Sequence, residues 1–377
     1  MSRSTTHHDK FMREAIREAR KGLGRTSPNP AVGAVVVRQN RVIAKGFHRR
    51  AGLPHAEVEA LRGLKTVSVE DTLYVTLEPC HHHGKTPPCT QTILKSGIRR
   101  VVIGTKDPNP TVSGGGADFL RDQGIEVIIG VQEAACRQLM EVFITFVTQK
   151  RPFVAAKSAL TLDGWTATAS GHSKWVTNAA SRQFAHRLRD RVDAVMVGVG
   201  TVLADNPSLT TRLKRGQGRD PLRIVVDTHL RTPKNATIVT QTSAADTVLV
   251  TGEDNGNQRS LWATEEEGIS ILACPTENGR IDLNELMKRL GAMSVTHLLV
   301  EGGASLMGSL LRAHLIDKFY IFKAPKLLGG ADGIPMASGP GSRRMDECLT
   351  LERIRTRRFG DDILIRGYPV YSPVRRT

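Results

Sequence analysis

Three potential metal ligands spread between residues 55 and 89 constrain this chain more than any other feature: His55 in the triplet HAE, Cys80 closing EPC, and Cys89 closing TPPC. Whatever fold forms has to bring them to one point. One imidazole and two thiolates leave the fourth position of a tetrahedral zinc site open for water, which is the layout of a catalytic centre. A structural site would close with four protein ligands. Glu57 stands two residues after His55. On a regular helix such residues point about 200° apart, so His55 belongs at the helix mouth with Glu57 in the first turn. Pro54 suits that boundary. Between the two cysteines lies HHHGKTPP, a loop that has to bulge between ligands and so is placed to touch substrate.

The length of 377 residues predicts two domains of roughly 150 to 220 residues, each able to bury a core. No segment approaches the roughly 18 apolar residues of a membrane span, and the polar start MSRSTTHHDK lacks the apolar region of a secretory signal, so a cytoplasmic protein is expected. Five cysteines, an odd and sparse set, argue for a reducing compartment and against a disulfide framework. Cys136 and Cys274 lie in apolar runs and read as small buried hydrophobes. The net charge of +16 invites a nucleic-acid reading, but no basic run of five or six residues appears, and aromatics at 5% leave few stacking platforms. The charge predicts a solvated basic surface that draws in small phosphorylated substrates, with neither nucleic acid nor membrane as partner.

Helical and strand signals alternate through the first 150 residues. Phe11, Met12, Ala15, Ile16 and Ala19 recur at helical spacing, and strands are expected at Ala31–Val37, Leu73–Leu77, Val101–Gly104 and Val127–Gly130. One helix is predicted from Glu133 to about Val147. The pair Arg151–Pro152 then interrupts, which sets the domain boundary between residues 150 and 151. The second region, 151–377, repeats the alternation. It has strands at FVAAKSAL, AVMVGVG, RIVVD, DTVLVT, HLLVEGG and FYIFKAP, and helices near Asn178–Arg189, Asp282–Met293 and Ala304–His314. Both regions are therefore α/β domains.

Zinc, when bound by a thiolate-rich site, lowers the pKa of water toward neutrality, and the HxE plus two-cysteine pattern is the general signature of nucleobase deaminases, in which the glutamate carries protons. The residues that support this reading also carry a resemblance. NPAVGAVVV with Asn29, the G-x-H at Gly46–His48, HAE, TLEPCxHxGxTPPC, KSALTLDG and LADNPSLTTR together resemble the bacterial bifunctional riboflavin-biosynthesis deaminase/reductase family, from about residue 9 to 368. The resemblance implies a cytidine-deaminase-like three-layer α/β/α domain with Zn²⁺ on His55, Cys80 and Cys89 and with Glu57 as proton carrier. It also implies that Asn29, His48, His82 and Lys85 contact a phosphoribosylaminopyrimidine. This chain departs from the family at His81, where serine is expected, and at SGGGADFL (113–120), which lacks a lysine between its glycines.

By its residues alone the second region offers less. Gly302 and Gly303 lie between a strand and a helix, where free amides can hold a phosphate, although such turns are equally often structural. GVG at Gly198–Gly200 fails as a dinucleotide fingerprint because Leu203 occupies the last position. Lys157, Asp163, Asp205 and Glu301 stand at or near strand ends, where the polar groups of an α/β site converge. The forks of Arg189 and Arg212 suit phosphate. The resemblance implies a dihydrofolate-reductase-like domain that uses NADPH to deliver hydride to the sugar C1. Lys157, Asp205, Arg212 and Glu301 would surround the sugar and its phosphate, with Ser173, Arg189 and Leu209 nearby. Ala159, Trp175, Thr201, Asp205 and the run Gly303, Ala304, Ser305, Leu306, Met307, Gly308 and Ser309 would face the cofactor. Trp175 has a competing explanation as a core aromatic.

Two other functions compete with this one. The first is a zinc-dependent tRNA or nucleotide base deaminase whose basic C-terminal domain grips nucleic acid; the long loop between the cysteines and the second α/β domain weigh against it. The second is a non-catalytic zinc module, which lacks an evident fourth ligand. The apolar segment FYIFKAPKLLGG offers a surface for a homodimer.

Overall fold

The computed structural model describes residues 3–82, 87–110, 115–214, 216, 218–256, 262 and 268–371. Lys85, His83 and the pair Ser113–Gly114 lie outside the described residues. The chain divides into two compact units, Met1–Arg151 and Pro152–Thr377.

The first unit is built on a five-stranded mixed sheet, in the order β2-β1-β3-β4-β5. Its strands are β1 (Gly33–Arg38), β2 (Arg41–Phe47), β3 (Thr72–Leu77), β4 (Arg100–Thr105) and β5 (Glu126–Ile129). The β1 strand pairs antiparallel with both β2 and β3, whereas β3, β4 and β5 run parallel. Every residue of β3 is buried, as expected of a central strand covered on both faces. On one face, helix α1 (Arg3–Ala19) packs on β1 and β3 and touches α5 (Glu133–Leu139), which lies on β4. On the other, α2 (Ala56–Arg62) packs on β2 and β1 and is followed by α3 (Cys89–Ser96) and α4 (Gly116–Asp122), each against the one before. The result is three layers, α/β/α. The helix predicted from Glu133 to Val147 is two helices, α5 and α6 (Glu141–Gln149), because the chain breaks at Met140. Strand β2 carries no long apolar run; its exposed Arg41, Ile43 and Lys45 alternate with better buried residues.

The seat of α2 depends on a glycine. A Cβ at Gly46 would meet the Ala56 carbonyl oxygen at 2.3 Å and the Ala60 nitrogen at 2.4 Å, so only a bare backbone lets the helix lie this close to β2.

The second unit holds a nine-stranded sheet. Its strands are β6 (Phe153–Leu160), β8 (Ala194–Gly198), β9 (Leu222–Val226), β10 (Thr247–Gly252), β11 (Ile269–Cys274), β14 (His297–Val300), β15 (Lys318–Lys323), β17 (Thr350–Phe359) and β18 (Asp362–Val370), arranged β11-β10-β9-β8-β14-β6-β15-β18-β17. The first seven in that order are parallel, and β18 and β17 add an antiparallel edge. Short strands β7 (Trp165–Ala167) and β16 (Ile334–Pro335) pair with each other, as do β12 (Thr276–Glu277) and β13 (Arg280–Ile281). Alternate residues of one strand feed different cores. Ala194 and Met196 pack with α10 (Leu283–Ala292) and α11 (Ala304–Arg312), whereas Val195 and Val197 pack with α8 (Val199–Asp205) and α9 (Thr237–Thr240). Helix α7 (Ala179–Arg189) is capped by the Asn178 carboxamide oxygen, which accepts from the Ala180 and Ser181 amides.

The strand expected at FYIFKAP is β15, inside the sheet between β6 and β18 with Phe319 and Phe322 buried; in the rest of the segment FYIFKAPKLLGG, Leu327 is exposed. The expected burial of Cys136 and Cys274 holds.

Candidate functional site

His55 is the residue just before α2, in extended conformation (φ −75°, ψ 168°), and Glu57 follows in the first turn. Cys80 lies beyond the end of β3, and Cys89 opens α3. These elements bring the three candidate ligands together: His55 Nδ1, Cys80 Sγ and Cys89 Sγ all lie within 4.8 Å of one another. His55 Nδ1 is 3.2 Å from Cys89 Sγ and 3.6 Å from Cys80 Sγ. Zinc held tetrahedrally at its usual N and S distances separates such ligand atoms by about 3.5 Å. The donor set and its spacing therefore fit Zn²⁺. The sulfurs also sit in an anion-stabilising corner. The Cys89 thiol and His55 together pull Cys80 down to about 4, with the Cys89 backbone N–H reaching its sulfur at 3.4 Å. The hydrogen bond to Cys80, then burial, drives the Cys89 thiol upward.

Glu57 is fully buried. Burial, then the charge of Cys80, pushes its carboxyl up to about 7. His48 is buried as well, and its ring meets that of His55 edge-on at 5.2 Å. Its Nδ1 lies 3.2 Å from the Pro54 carbonyl oxygen, to which it donates, which leaves Nε2 to accept from the Asn29 amide at 3.1 Å. Burial lowers the His48 pKa, consistent with a neutral ring. His48, with Asn29 hydrogen-bonded to it, thus stands beside His55. His82 is exposed on the Cys80–Cys89 loop.

Two residues that sequence reasoning set aside support this site. Glu78 accepts from the backbone N–H of Asp107 at 3.0 Å and of Ala117 at 2.9 Å, tying the segment after β4 to the start of α4. His81, the departure from the family pattern, stacks on Phe119 with centroids 3.9 Å apart and shares a 3.1 Å hydrogen bond with Thr90 Oγ1. It packs against α3 and α4. The glycine run has a packing reason too, since a Cβ at Gly116 would lie 1.8 Å from the Pro79 carbonyl oxygen.

The second unit contains a cavity of about 1230 Å³ along the C-terminal ends of β6, β8, β9 and β14. That exceeds the roughly 300–1,000 Å³ of a single-ligand pocket and suits a dinucleotide with a second molecule. Lys157, Ser173, Arg189, Asp205, Leu209, Arg212 and Glu301 all line it, as do Ala159, Trp175, Thr201, Ser309 and Gly303 through Met307. Gly308 does not: a Cβ there would lie 2.0 Å from the Ser338 carbonyl oxygen, so it serves the packing of α11. Asp163 is also absent from the cavity wall. It accepts from Thr161 Oγ1 and from the Gly329 backbone N–H, fixing the turn after β6. Trp175, 59% exposed, is no core aromatic; its ring lies 4.4 Å beneath the Arg182 guanidinium.

The floor of the cavity is a buried charge cluster. Arg189 donates to both oxygens of Glu301, Nε to Oε1 at 2.7 Å and Nη2 to Oε2 at 3.0 Å, and its Nη1 donates to the Thr210 carbonyl. The fork expected to meet a phosphate is therefore committed to a carboxylate. Burial alone would raise Glu301, but the charge and hydrogen bonds of Arg189, with Lys157 behind them, carry it down to about 2. Lys157 Nζ lies 4.0 Å from Glu301 Oε2, and burial lowers its pKa. His186, which sequence reasoning missed, lines the same wall. Burial and then the charges of Arg189 and Arg212 bring it down to about 4, so it is neutral and accepts from the Arg212 backbone N–H at 3.3 Å. Ser173 donates to Asp205 at 3.2 Å. Gly302 (φ +121°) and Gly303 (φ +83°) make the turn into α11 in conformations that other residues avoid.

Residues 152–365 match the model of the RibD C-terminal domain, and residues 5–105 that of the cytidine and deoxycytidylate deaminase zinc-binding region. The riboflavin biosynthesis protein RibD of Actinobacillus pleuropneumoniae is 41% identical over 364 residues, covering 97% of this chain and 96% of its own. That of Aquifex aeolicus is 42% identical over 355 residues, 94% and 96% of the two chains. The chain belongs to the RibD family. The crystal structure of the diaminohydroxyphosphoribosylaminopyrimidine deaminase/5-amino-6-(5-phosphoribosylamino)uracil reductase of Thermotoga maritima superposes with a TM-score of 0.84 at 39% identity, covering 97% of this chain and all of that one. Acinetobacter baumannii RibD gives 0.86 at 34% identity over the same shares. As a RibD family member the chain is a bifunctional riboflavin-biosynthesis enzyme, with a zinc-dependent deaminase domain and a reductase domain that uses NADPH. Among the described residues no helix is long and apolar enough to cross a membrane.

Proposed function

We propose that residues 1–150 deaminate 2,5-diamino-6-(5-phosphoribosylamino)pyrimidin-4-one to 5-amino-6-(5-phosphoribosylamino)uracil, and that residues 151–377 then reduce its ribosyl chain to ribityl, in the cytoplasm. The observation that carries this is the meeting of His55 Nδ1, Cys80 Sγ and Cys89 Sγ within 4.8 Å, beside the buried Glu57.

Zn²⁺ on those three ligands supplies a water acidified toward neutral pH. Glu57 takes a proton from the attacking water and delivers it to the departing amine, a role that its place in the first turn of α2, next to His55, allows. Asn29 and His48 form the wall that orients the pyrimidine, and their mutual hydrogen bond fixes both side chains. His82 and, by the family resemblance, Lys85 contribute further substrate contacts.

Ala159, Trp175, Thr201, Gly303 through Met307 and Ser309 would hold NADPH, which when bound would supply hydride for the sugar C1. Lys157 and Asp205 stabilise the ring-opened imine that accepts it. Because Glu301 already holds the Arg189 fork, the sugar phosphate falls to Arg212, whose guanidinium has no carboxylate partner among the described residues, with Ser173 and Leu209 alongside. The substrates are small phosphorylated pyrimidines rather than nucleic acid. Assembly as a homodimer belongs to the same proposal, and the exposed Leu327 in the segment FYIFKAPKLLGG supports it.

Incubation of the zinc-loaded protein with the phosphoribosylated diaminopyrimidinone tests this directly. Mass analysis should show a deaminated product without NADPH, and a deaminated and reduced product with it. Unchanged substrate in both reactions overturns the proposal.

A further inference from the structure

Between α8 (Val199–Asp205) and β9 (Leu222–Val226), residues 206–213 form neither helix nor strand, yet they bring Leu209 and Arg212 to the cavity wall. A segment outside a sheet has to find other partners for its backbone. Here side chains supply them. The Thr210 carbonyl oxygen accepts from Arg189 Nη1 at 3.0 Å, and the Thr211 N–H donates to the Asp220 carboxylate at 2.7 Å. The Arg212 N–H donates to His186 Nδ1 at 3.3 Å, and the Arg212 carbonyl oxygen accepts from Gln183 Nε2 at 3.0 Å. Arg212 is thus held at both of its backbone groups while the residue itself is exposed.

Three of those four side chains come from one helix. Gln183, His186 and Arg189 recur every three residues along α7 (Ala179–Arg189), a spacing that makes successive side chains neighbours on the helix surface. Arg189 is committed to Glu301, so that end of the stripe is anchored in the buried charge cluster. His186 accepts through Nδ1 only as the neutral ring. Burial, then the charges of Arg189 and Arg212, keep it neutral against the pull of Glu301. Neither Gln183 nor His186 has a part in the chemistry proposed above.

We propose that His186, with Gln183, is a positioning residue: it fixes the Arg212 backbone so that the guanidinium is set in advance for the phosphate on the sugar. The proposal rests on the reductase reading above, which gives that phosphate to Arg212. A long side chain on a fixed backbone has less freedom to lose when it grips an anion, so the hold raises affinity. The phosphate is carried at the opposite end of the sugar from C1. The hold therefore acts on binding and not on hydride transfer.

Calorimetric titration of the full-length protein with ribose 5-phosphate and with ribose isolates the grip on phosphate. The wild type should prefer the phosphorylated sugar. His186→Leu, which keeps bulk but cannot accept, should lose about 5- to 10-fold of the affinity for ribose 5-phosphate, the scale of one hydrogen bond. His186→Gln, whose carboxamide oxygen can take the Arg212 N–H, should recover most of it, and Gln183→Ala should lose less than His186→Leu. In steady-state assays with the deaminated substrate, His186→Leu should raise KM by the same factor and leave kcat nearly unchanged, the mark of lost uniform binding. NADPH affinity by fluorescence and zinc-dependent ammonia release report on the fold and should hold. Unchanged ribose 5-phosphate binding by His186→Leu overturns the proposal. So does a loss of ribose 5-phosphate and NADPH binding alike, or a glutamine variant as weak as the leucine one. A wild type that binds both sugars equally, or an Arg212→Ala protein that keeps the preference, removes the phosphate reading and the proposal with it. Loss of the preference in Arg212→Ala but not in His186→Leu removes the proposal alone.

Discussion

The two candidate sites are built on opposite plans. In the first unit, four side chains from two helix mouths and a strand end converge within a few ångströms, and three of them meet within 4.8 Å. In the second, the polar groups are strung along the ends of four parallel strands, around a cavity of about 1230 Å³. A site that centres on one ion needs few residues, fixed in type and order, and short motifs can record it. A site that holds two extended molecules needs many contacts, any one of which is an ordinary residue in an ordinary strand.

This contrast implies that the two plans fail independently. The largest effect expected is from metal removal: chelation should stop ammonia release altogether, while NADPH oxidation with the deaminated intermediate continues. A parallel loss of both activities, followed by optical assay on the two substrates, would break the comparison. Next comes Glu301→Gln, which strands the buried Arg189 and should cost about 3–5 kcal/mol of stability by denaturant titration. The pH dependence follows from the same pair. The folded-state pKa of Glu301 is depressed to about 2 from an ordinary value of 4.5, so its contribution is present above pH 4.5 and is lost as pH falls toward 2. The wild type should show that acid limb and the glutamine variant should lack it. Smallest of the three, Glu57→Gln should lower deaminase kcat by at least about a hundredfold, the loss of a general acid/base, or about 2.7 kcal/mol. Ammonia release at the parental rate would remove Glu57 from the role of proton carrier.

The alternation of strands and helices was legible because the central parallel strands of both sheets are buried on two faces, leaving unbroken apolar runs such as VVIG and AVMVG. The edges were not. Strand β2 interleaves charge with apolar residues, and β17, TLERIRTRRF, is exposed along nearly its whole length, so no periodicity marks it. The metal ligands could be read in the sequence because chemistry restricts them to histidine and cysteine at fixed places. Asn29 and His48 came from resemblance, and the structure supplies the hydrogen bond that joins them. Arg189 is the instructive case in the second unit. Sequence says that an arginine fork is present, but only the fold says that Glu301 occupies it. Likewise Gly308 stands in a run that faces the cavity, yet helical geometry turns it toward Ser338.

Gly46 contributes no reacting atom, and yet α2 rests on it through contacts that admit no side chain. The residue that caps that helix is a metal ligand, and its first turn carries the proton carrier. A single methyl group added at position 46 would lift both at once, so hydrolysis and metal retention share one hidden fulcrum.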